Sequence, residues 1–264
     1  MALSRAWRHR WLLRSLLQRE LRNRYVGTVG GLVWVLVHPM LMLAIFAAVF
    51  QYVFQVRLPS ASPEQPYVLW VALALWPWLA FGESLSRGTV AVQQHGDLVK
   101  KVAFPQELLV YSAVLASMFV HATGYATVLV LLRLWGYEVH FAGVFLVGLW
   151  AWLVLGCAAT GVALFLAALQ VFVRDVEQLL GQVLAVVFYA SPILYPLALV
   201  PAALEDAMVF NPLVHVLEPL RQAGLGRQWP GATVLVAAAA GAGALWVLGL
   251  AWFRRLSPHF EDQL

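Results

Sequence analysis

The chain has 264 residues, of which 62% are hydrophobic and 11% charged, and its formal net charge at pH 7 is +4. Soluble domains carry about 25% charged residues, and a soluble core of this size could not bury so much apolar surface. The basic residues gather beside apolar runs, which is typical of membrane topology and does not indicate nucleic-acid binding. The composition predicts an integral membrane protein with one transmembrane domain, residues 1–264.

The N-terminal residues 4–25 carry too many charges to span a membrane, because seven arginines lie within the first twenty-four positions. An apolar stripe recurs at intervals of four, and it contains Leu13, Leu17, Leu21 and Tyr25. This pattern predicts an amphipathic interface helix on the inner leaflet, with its arginines toward lipid phosphates. The same helix could also present a docking face to a cytoplasmic partner.

Residues 30–56 form a run of twenty-seven residues without a charged side chain. A hydrocarbon core ~30 Å thick needs roughly 20 apolar residues in a helix, so this run predicts the first span. Five further apolar segments extend the prediction to an all-α integral membrane fold with six transmembrane helices. The predicted spans are 30–56, 67–85, 108–132, 141–169, 179–199 and 232–253.

Six spans return both termini to the same side of the membrane. In that topology thirteen lysines and arginines lie on the side of the termini and four on the opposite side. Positively charged flanks stay in the cytoplasm, so both termini are predicted to be cytoplasmic.

The longest predicted cytoplasmic connection is residues 86–106. Gly96 is the kind of residue that ends a helix, so a short helix is predicted to end at His95. Pro105 is predicted to open the third span, where its missing N–H costs nothing. An exposed helix here suits mechanical contact with another protein, and an ordinary loop is the alternative.

The segment 197–228 is punctuated by prolines, and its apolar pieces are too short to cross a bilayer. Irregular backbone at membrane depth is tolerated where protein or a water-filled cavity covers it. We interpret this segment as short re-entrant helices that dip in from the outer face as a lid or gate. A stiff outer loop is the alternative.

Sites for catalysis, metals and nucleotides are not predicted. The only lysines are Lys100 and Lys101, and no Gly-Lys-Ser or Gly-Lys-Thr phosphate loop is present. The histidines are scattered, and no nucleophile elbow or carboxylate cluster suggests a membrane glycosyl- or acyltransferase. Glu83 is predicted near the inner end of a span, and His38 and His121 are the titratable groups at depth. An ATP-independent secondary carrier or channel would depend on those histidines, and it is the alternative from another functional class.

Aromatic side chains supply the positive indication of function, since they make up 13% of the chain. Most fall toward span ends, as interfacial belts do. Those within the first span and near the end of the fifth could instead line a transport path. Sugar rings stack only weakly on aromatic rings, so a polysaccharide could slide along such a lining without being held tightly. Belt or packing is the alternative for any single ring. The candidate channel residues are Trp34, Phe46, Phe50, Tyr52, Phe188, Tyr189 and Tyr195.

Small residues predict close helix contacts. Gly241 and Gly243 lie in an alanine-rich run that gives the sixth predicted span a smooth face. Six helices enclose too little space for a large conduit, so a homodimer is expected.

Several runs resemble one family. RYVGTVGGLVW lies at 24–34, LVKKVAFP at 98–105 and ASPILYP at 190–196. In this order and spacing they resemble the type-2 ABC transporter permeases that export bacterial O-antigen, capsule and teichoic acid. The similarity also includes His38-Pro39, Arg174-Asp175-Val176, Asn211-Pro212, Glu218 and Arg221. Two positions depart from the family pattern, Gly30 for leucine and His38 for glutamine.

The resemblance implies a lipid-linked polysaccharide as cargo. The run SPILYP is most similar to the O-antigen exporters, and capsule or teichoic acid exporters are the alternatives. It implies a bacterial inner-membrane homodimer with two copies of a cytoplasmic ATPase, which would bind ATP and Mg, and no cofactor in this chain. It implies ATPase coupling through Gly96, Asp97 and Leu98. Its implied entrance residues are Arg24, Tyr25 and His38, and its implied gate residues are Asn211, Glu218 and Arg221.

Overall fold

The computed structural model of the protein describes residues 9–24, 33–55 and 67–264. The regular elements within these ranges are helical, which confirms the all-α prediction. The helices are α1 (Arg10–Asn23), α2 (Val33–Ala48), α3 (Tyr67–Gln94), α4 (Gly96–Lys101), α5 (Glu107–Leu134), α6 (Phe141–Phe172), α7 (Val176–Ala190), α8 (Ala202–Phe210), α9 (Val214–Gly224) and α10 (Ala232–Leu256). A π-helical turn, Val49–Val53, extends α2, and 3-10 turns occupy Leu197–Leu199 and Ser257–His259. Tyr25 and Gly30 lie outside the described residues.

By length and composition, four helices of the described ranges could cross a bilayer, namely α3, α5, α6 and α10. Two shorter apolar helices, Leu36–Gln51 and Val176–Ala190, lie in the predicted first and fifth spans. α7 ends at Ala190, whereas the predicted span continued to residue 199. The cause is Pro192, which disfavours helical backbone in the residue before it, and Ser191 is extended with φ −107° and ψ 145°. The number of six spans stays a prediction.

The core forms around α3. This helix packs against α5 on one side and α6 on another, and α10 packs along α6. Trp76, Leu73 and Leu75 of α3 are fully buried because neighbouring helices surround them. α9 lies between α6 and α3, whereas α2 and α7 touch the core less extensively at its side. The central helices therefore form a packed unit with two more exposed helices beside it.

α1 packs against α5 through a face centred on Leu16 that includes part of the predicted stripe. Leu16 is its buried residue, and Leu12 and Leu13 pack beside it against the core. Trp11, near the start of the same helix, is 70% exposed. The leucines at intervals of three and four on one face explain the contact, since these residues share a helix face.

The predicted helix before His95 is not a separate element. α3 continues without interruption to Gln94, and the new helix α4 begins at Gly96. A helix of 28 residues is about 42 Å long, which exceeds the hydrocarbon thickness. Pro105 precedes α5, as predicted, and the carbonyl of Pro105 accepts the N–H of Leu108.

α6 and α10 cross at a point of backbone contact. A Cβ atom on Gly249 would lie 2.0 Å from the carbonyl oxygen of Gly161, and one on Gly161 would lie 2.5 Å from that of Leu245. Small residues allow this close approach between helices in a membrane. The contact lies on a different face from the predicted one, because Cβ atoms on Gly241 and Gly243 would meet nothing within 4 Å.

Replacement of Gly249 by alanine should force α6 and α10 apart. Overpacking of a well-packed contact costs about 1–3 kcal/mol, so we expect a lower unfolding temperature in detergent, measured by fluorescence-detected gel filtration after heating. Gly241→Ala is the matched control on the same helix, and it should unfold with the wild-type protein. Equal unfolding temperatures for both variants would contradict the crossing geometry.

Candidate functional site

A groove opens between α2 and α7, with α3 behind it, and we call it the α2–α7 groove. Its volume is about 450 Å³, and its wall includes His38, Phe46, Trp78, Phe188 and Tyr189. The structure thus brings together three of the predicted channel aromatics and one predicted entrance residue. These residues come from helices far apart in sequence, which are adjacent only in the fold.

Phe188 is the centre of the aromatic wall. Its ring centroid lies 5.9 Å from that of Phe46, 5.9 Å from that of Trp78 and 5.1 Å from that of Tyr189. Offset and edge-on pairs at such separations stabilise one another beyond their buried area. Tyr189 is nevertheless 67% exposed, so the wall presents ring surface to whatever occupies the groove.

The other predicted channel residues lie elsewhere or support the wall. Trp34 is 61% exposed on α2 but does not line the groove. Phe50 packs against Phe54 and Tyr67 instead, with centroid distances of 5.4 and 6.1 Å. The Tyr195 hydroxyl donates to the Tyr189 carbonyl at 2.9 Å, which fixes the end of α7. The side chain of Tyr52 lies outside the described part of the chain.

One end of the groove carries charge. The Glu83 carboxylate lies 3.0 Å from Nη1 of Arg24, 2.6 Å from Nε of Arg87 and 2.5 Å from Nε2 of His121. Arg24 also donates to Oγ of Ser117 at 2.5 Å. We call these five residues the polar cluster. Arg24 and His121 are almost fully buried, with side chains 5% and 9% exposed.

The sequence analysis identified Glu83 and His121 separately but did not predict that they contact each other. The Glu83–Arg87 pair is an i,i+4 pair and was visible in the sequence, whereas His121 is 38 residues away on α5. Because α3 continues to Gln94, Glu83 lies well inside the helix rather than near its end. Two guanidinium groups and one imidazole therefore surround a single carboxylate beside the aromatic wall.

The predicted gate residues converge on the turn after α7. Arg221 is fully buried and donates to the carbonyls of Trp70 at 3.3 Å and Pro192 at 2.9 Å. Its Nη1 lies 2.8 Å from the Glu218 carboxylate, and its Cζ lies 3.5 Å from the centroid of the Trp70 ring. The carboxylate of Glu218 compensates the charge of this buried guanidinium.

Two further side chains close the same turn. Asn211 donates from Nδ2 to Oγ of Ser191 at 2.9 Å and accepts the N–H of Leu213 at 3.0 Å. The hydroxyl of Tyr67 donates to the carbonyl of Leu194. We call the set Tyr67, Trp70, Ser191, Asn211, Glu218 and Arg221 the outer clasp. It holds α9 and the turn at 191–194 against the start of α3, and the gating role of these residues stays a prediction.

The predicted coupling residues lie in and around α4. Asp97 is exposed, whereas Leu98 packs partly against the core and Val99 is buried. The pattern of one exposed and one buried face shows that α4 lies flat against the end of the helical unit. The coupling role of Gly96, Asp97 and Leu98 stays a prediction.

Comparison with known proteins places these features in a family. Residues 12–225 match the family model described as ABC-2 type transporter. The O-antigen export system permease protein RfbA of Myxococcus xanthus is 30% identical over 241 residues, 89% of this chain and 88% of the relative. RfbA of Klebsiella pneumoniae is 23% identical over 96% of this chain and 95% of its own. The polysialic acid transport protein KpsM of Escherichia coli is 24% identical over 79% of each chain.

Removal of the Arg221 side chain should loosen the outer clasp. In Arg221→Ala the carbonyls of Trp70 and Pro192 lose a buried donor, and each unsatisfied group costs about 1–3 kcal/mol. We expect a lower unfolding temperature and faster proteolysis within residues 191–214, measured in detergent. Arg221→Lys should be intermediate, because an ammonium cannot reproduce the planar fork.

Arg133→Ala is the control for that experiment, because Arg133 is exposed. It should unfold at the wild-type temperature. If Arg221→Ala did the same, the clasp would contribute nothing to stability.

Proposed function

This chain belongs to the ABC-2 type transporter family, and we propose that it is the membrane subunit of an ATP-driven exporter of a lipid-linked polysaccharide. The observation that carries the proposal is the match to O-antigen export permeases along most of both chains. O-antigen is therefore the proposed cargo. A capsular polysaccharide is the second candidate, favoured by the relative that transports polysialic acid.

The energy source is proposed to be a separate cytoplasmic ATPase, present in two copies, which binds ATP and Mg. Permeases of this family normally work with such a partner, and the sequence contains no phosphate loop of its own. α4 is the proposed contact, since its outer face carries the exposed Asp97.

The permease is proposed to act as a homodimer, with the two α2–α7 grooves facing a shared path. α2 and α7 carry large exposed apolar residues, among them Leu41 at 57%, Val186 at 68% and Tyr189 at 67%. A second copy would cover part of this surface, and lipid would cover the rest. The path would then be bounded by aromatic walls on both sides, over which sugar rings can slide.

The proposed orientation has both termini in the cytoplasm and the membrane as the bacterial inner membrane. The distribution of lysine and arginine supports it, because thirteen of seventeen lie on that side. The outer clasp then lies at the outer end of the path. Arg87 of the polar cluster, whose side chain is 44% exposed, would attract the phosphate groups of a lipid-linked cargo, since guanidinium pairs with phosphate.

ATP turnover with the partner separates this proposal from the carrier alternative. The full chain is purified together with a candidate ABC ATPase subunit from the same organism and reconstituted in nanodiscs. We expect a stable complex whose ATP hydrolysis exceeds that of the ATPase alone at least threefold. A pH-gradient-driven flux in liposomes containing this chain alone, with no association to the ATPase, would favour a secondary carrier.

Truncation of Tyr189 should slow export without loss of assembly. In Tyr189→Ala the groove loses its most exposed ring, so surface polymer should fall at least threefold, measured by antibody binding to intact cells. Phe145→Ala is the matched control, because Phe145 is 70% exposed on α6 away from the groove. Equal polymer on the surface in both variants would remove Tyr189 from the path.

A further inference from the structure

The residues after α10 fold back onto the helical unit. Phe260 is fully buried, and its ring centroid lies 5.3 Å from that of Phe253 in α10 and 6.0 Å from that of Phe172 at the end of α6. The Phe260 carbonyl accepts the N–H groups of Gln263 and Leu264, both at 3.1 Å. The Phe260 ring therefore anchors residues 257–264 to the helical unit, and its carbonyl holds the last residues of this segment by hydrogen bonds.

This segment reaches the beginning of α4. A Cβ atom on Gly96 would lie 3.6 Å from Cβ of Leu264 and 3.7 Å from its Cδ2. Leu264 and Leu98 both pack partly against the core. The first residue of α4 thus rests on the side chain of Leu264, while Asp97 beside it stays exposed.

The far side of α4 is tied to the same end of α10. The chain leaves α4 and enters α5 at Glu107, which is buried and bonded to Arg254 with 2.8 Å between Oε1 and Nη2. Arg254 precedes the segment by three residues, and the Ser257 hydroxyl donates to its carbonyl. Both ends of the connection from α3 to α5 are consequently held by residues 254–264.

We propose that residues 257–264 are a positioning element for α4, with Phe260 as its anchor and Leu264 as its contact. This inference rests on the proposed function, because it assigns the element to coupling with the ATPase. A displacement of α4 by the partner is passed through Leu264 and Phe260 to α6 and α10. Without the anchor, α4 still meets the ATPase, but its movement no longer reaches the spans.

The first experiment compares ATP turnover with polymer export for the full complex. Phe260→Ala removes the ring that fills the space between Phe172 and Phe253. We expect ATP turnover within twofold of wild type and surface polymer reduced at least fivefold. Phe260→Leu, which keeps an apolar anchor, should restore most of the export, and His259→Ala, an exposed neighbour, should not change either quantity.

Leu264→Ala separates positioning from folding, because it removes the contact with α4 and leaves the buried Phe260 in place. The same loss of export at preserved ATP turnover would support the proposal even if Phe260→Ala failed to assemble. Normal export by Leu264→Ala would overturn it.

A disulfide tests the contact directly. The Cβ separation of 3.6 Å between positions 96 and 264 lies within the range of disulfides. In a chain with Cys157→Ala, the pair Gly96→Cys and Leu264→Cys should form an intrachain disulfide under mild oxidation. The oxidised complex should export at least as well as the reduced one, because the disulfide replaces the contact that Leu264→Cys weakens. Failure to cross-link, or loss of export only on oxidation, would contradict the inference.

Absence of ATPase stimulation by the wild-type chain would instead contradict the proposed function, and with it this inference. Stimulation by wild type, together with export by Phe260→Ala and Leu264→Ala that equals wild type, would overturn the positioning role alone. The two failures are therefore distinguishable in the same set of measurements.

Discussion

The buried guanidinium of Arg221 is the interaction on which the outer part of the molecule depends. Irregular backbone at membrane depth requires donors and acceptors from the protein itself, because hydrocarbon supplies none. The end of α7 at Ala190 creates such a region, since residues 191–194 are no longer helical. Arg221 supplies donors to this turn and to the carbonyl of Trp70 at once, and its charge is compensated by Glu218. The helix α7 can end early because the clasp supplies hydrogen-bond partners to the buried, non-helical backbone that follows it.

The clasp and the polar cluster contact α3 at two levels, before and after its groove-lining residues Leu75 and Trp78. Near the start of α3, Arg221 of α9 bonds to the carbonyl of Trp70 and to that of Pro192 in the turn after α7. Further along α3, Glu83 forms ion pairs with Arg24, which follows α1, and with His121 of α5. Between them the wall consists of rings and aliphatic groups. The charged groups therefore hold α3 in place relative to its neighbours. The groove wall between them carries no strong binding group, as a sliding polymer requires in the proposed exporter.

The helices that could be predicted are those with long apolar runs, and their bounds differ from the prediction by a few residues at α5 and α6. The end of α7 was missed because a helical and an irregular apolar segment have the same hydropathy, and the prolines were interpreted as marks of a lid or gate. The buried face of α1 was predicted only in part, because Leu13 and Leu16 both fit a helical stripe and only the position of α5 selects Leu16 as its centre. The polar cluster joins Glu83 to His121, 38 positions away, and the clasp joins Arg221 to Trp70, 151 positions away, and no local pattern encodes these contacts.

The uneven packing of the helices has a consequence for movement. α3, α5, α6 and α10 share a continuous buried surface, including the backbone contact of Gly161 with Gly249, so displacement within this unit would disturb close-packed atoms. α2 and α7 have fewer partners and large exposed apolar faces, and they form the two sides of the groove. Elements with few buried contacts are those that move at low cost. A path that widens for a cargo would therefore open by displacement of α2 and α7 against a fixed α3, and the clasp would limit how far the end of α7 could travel.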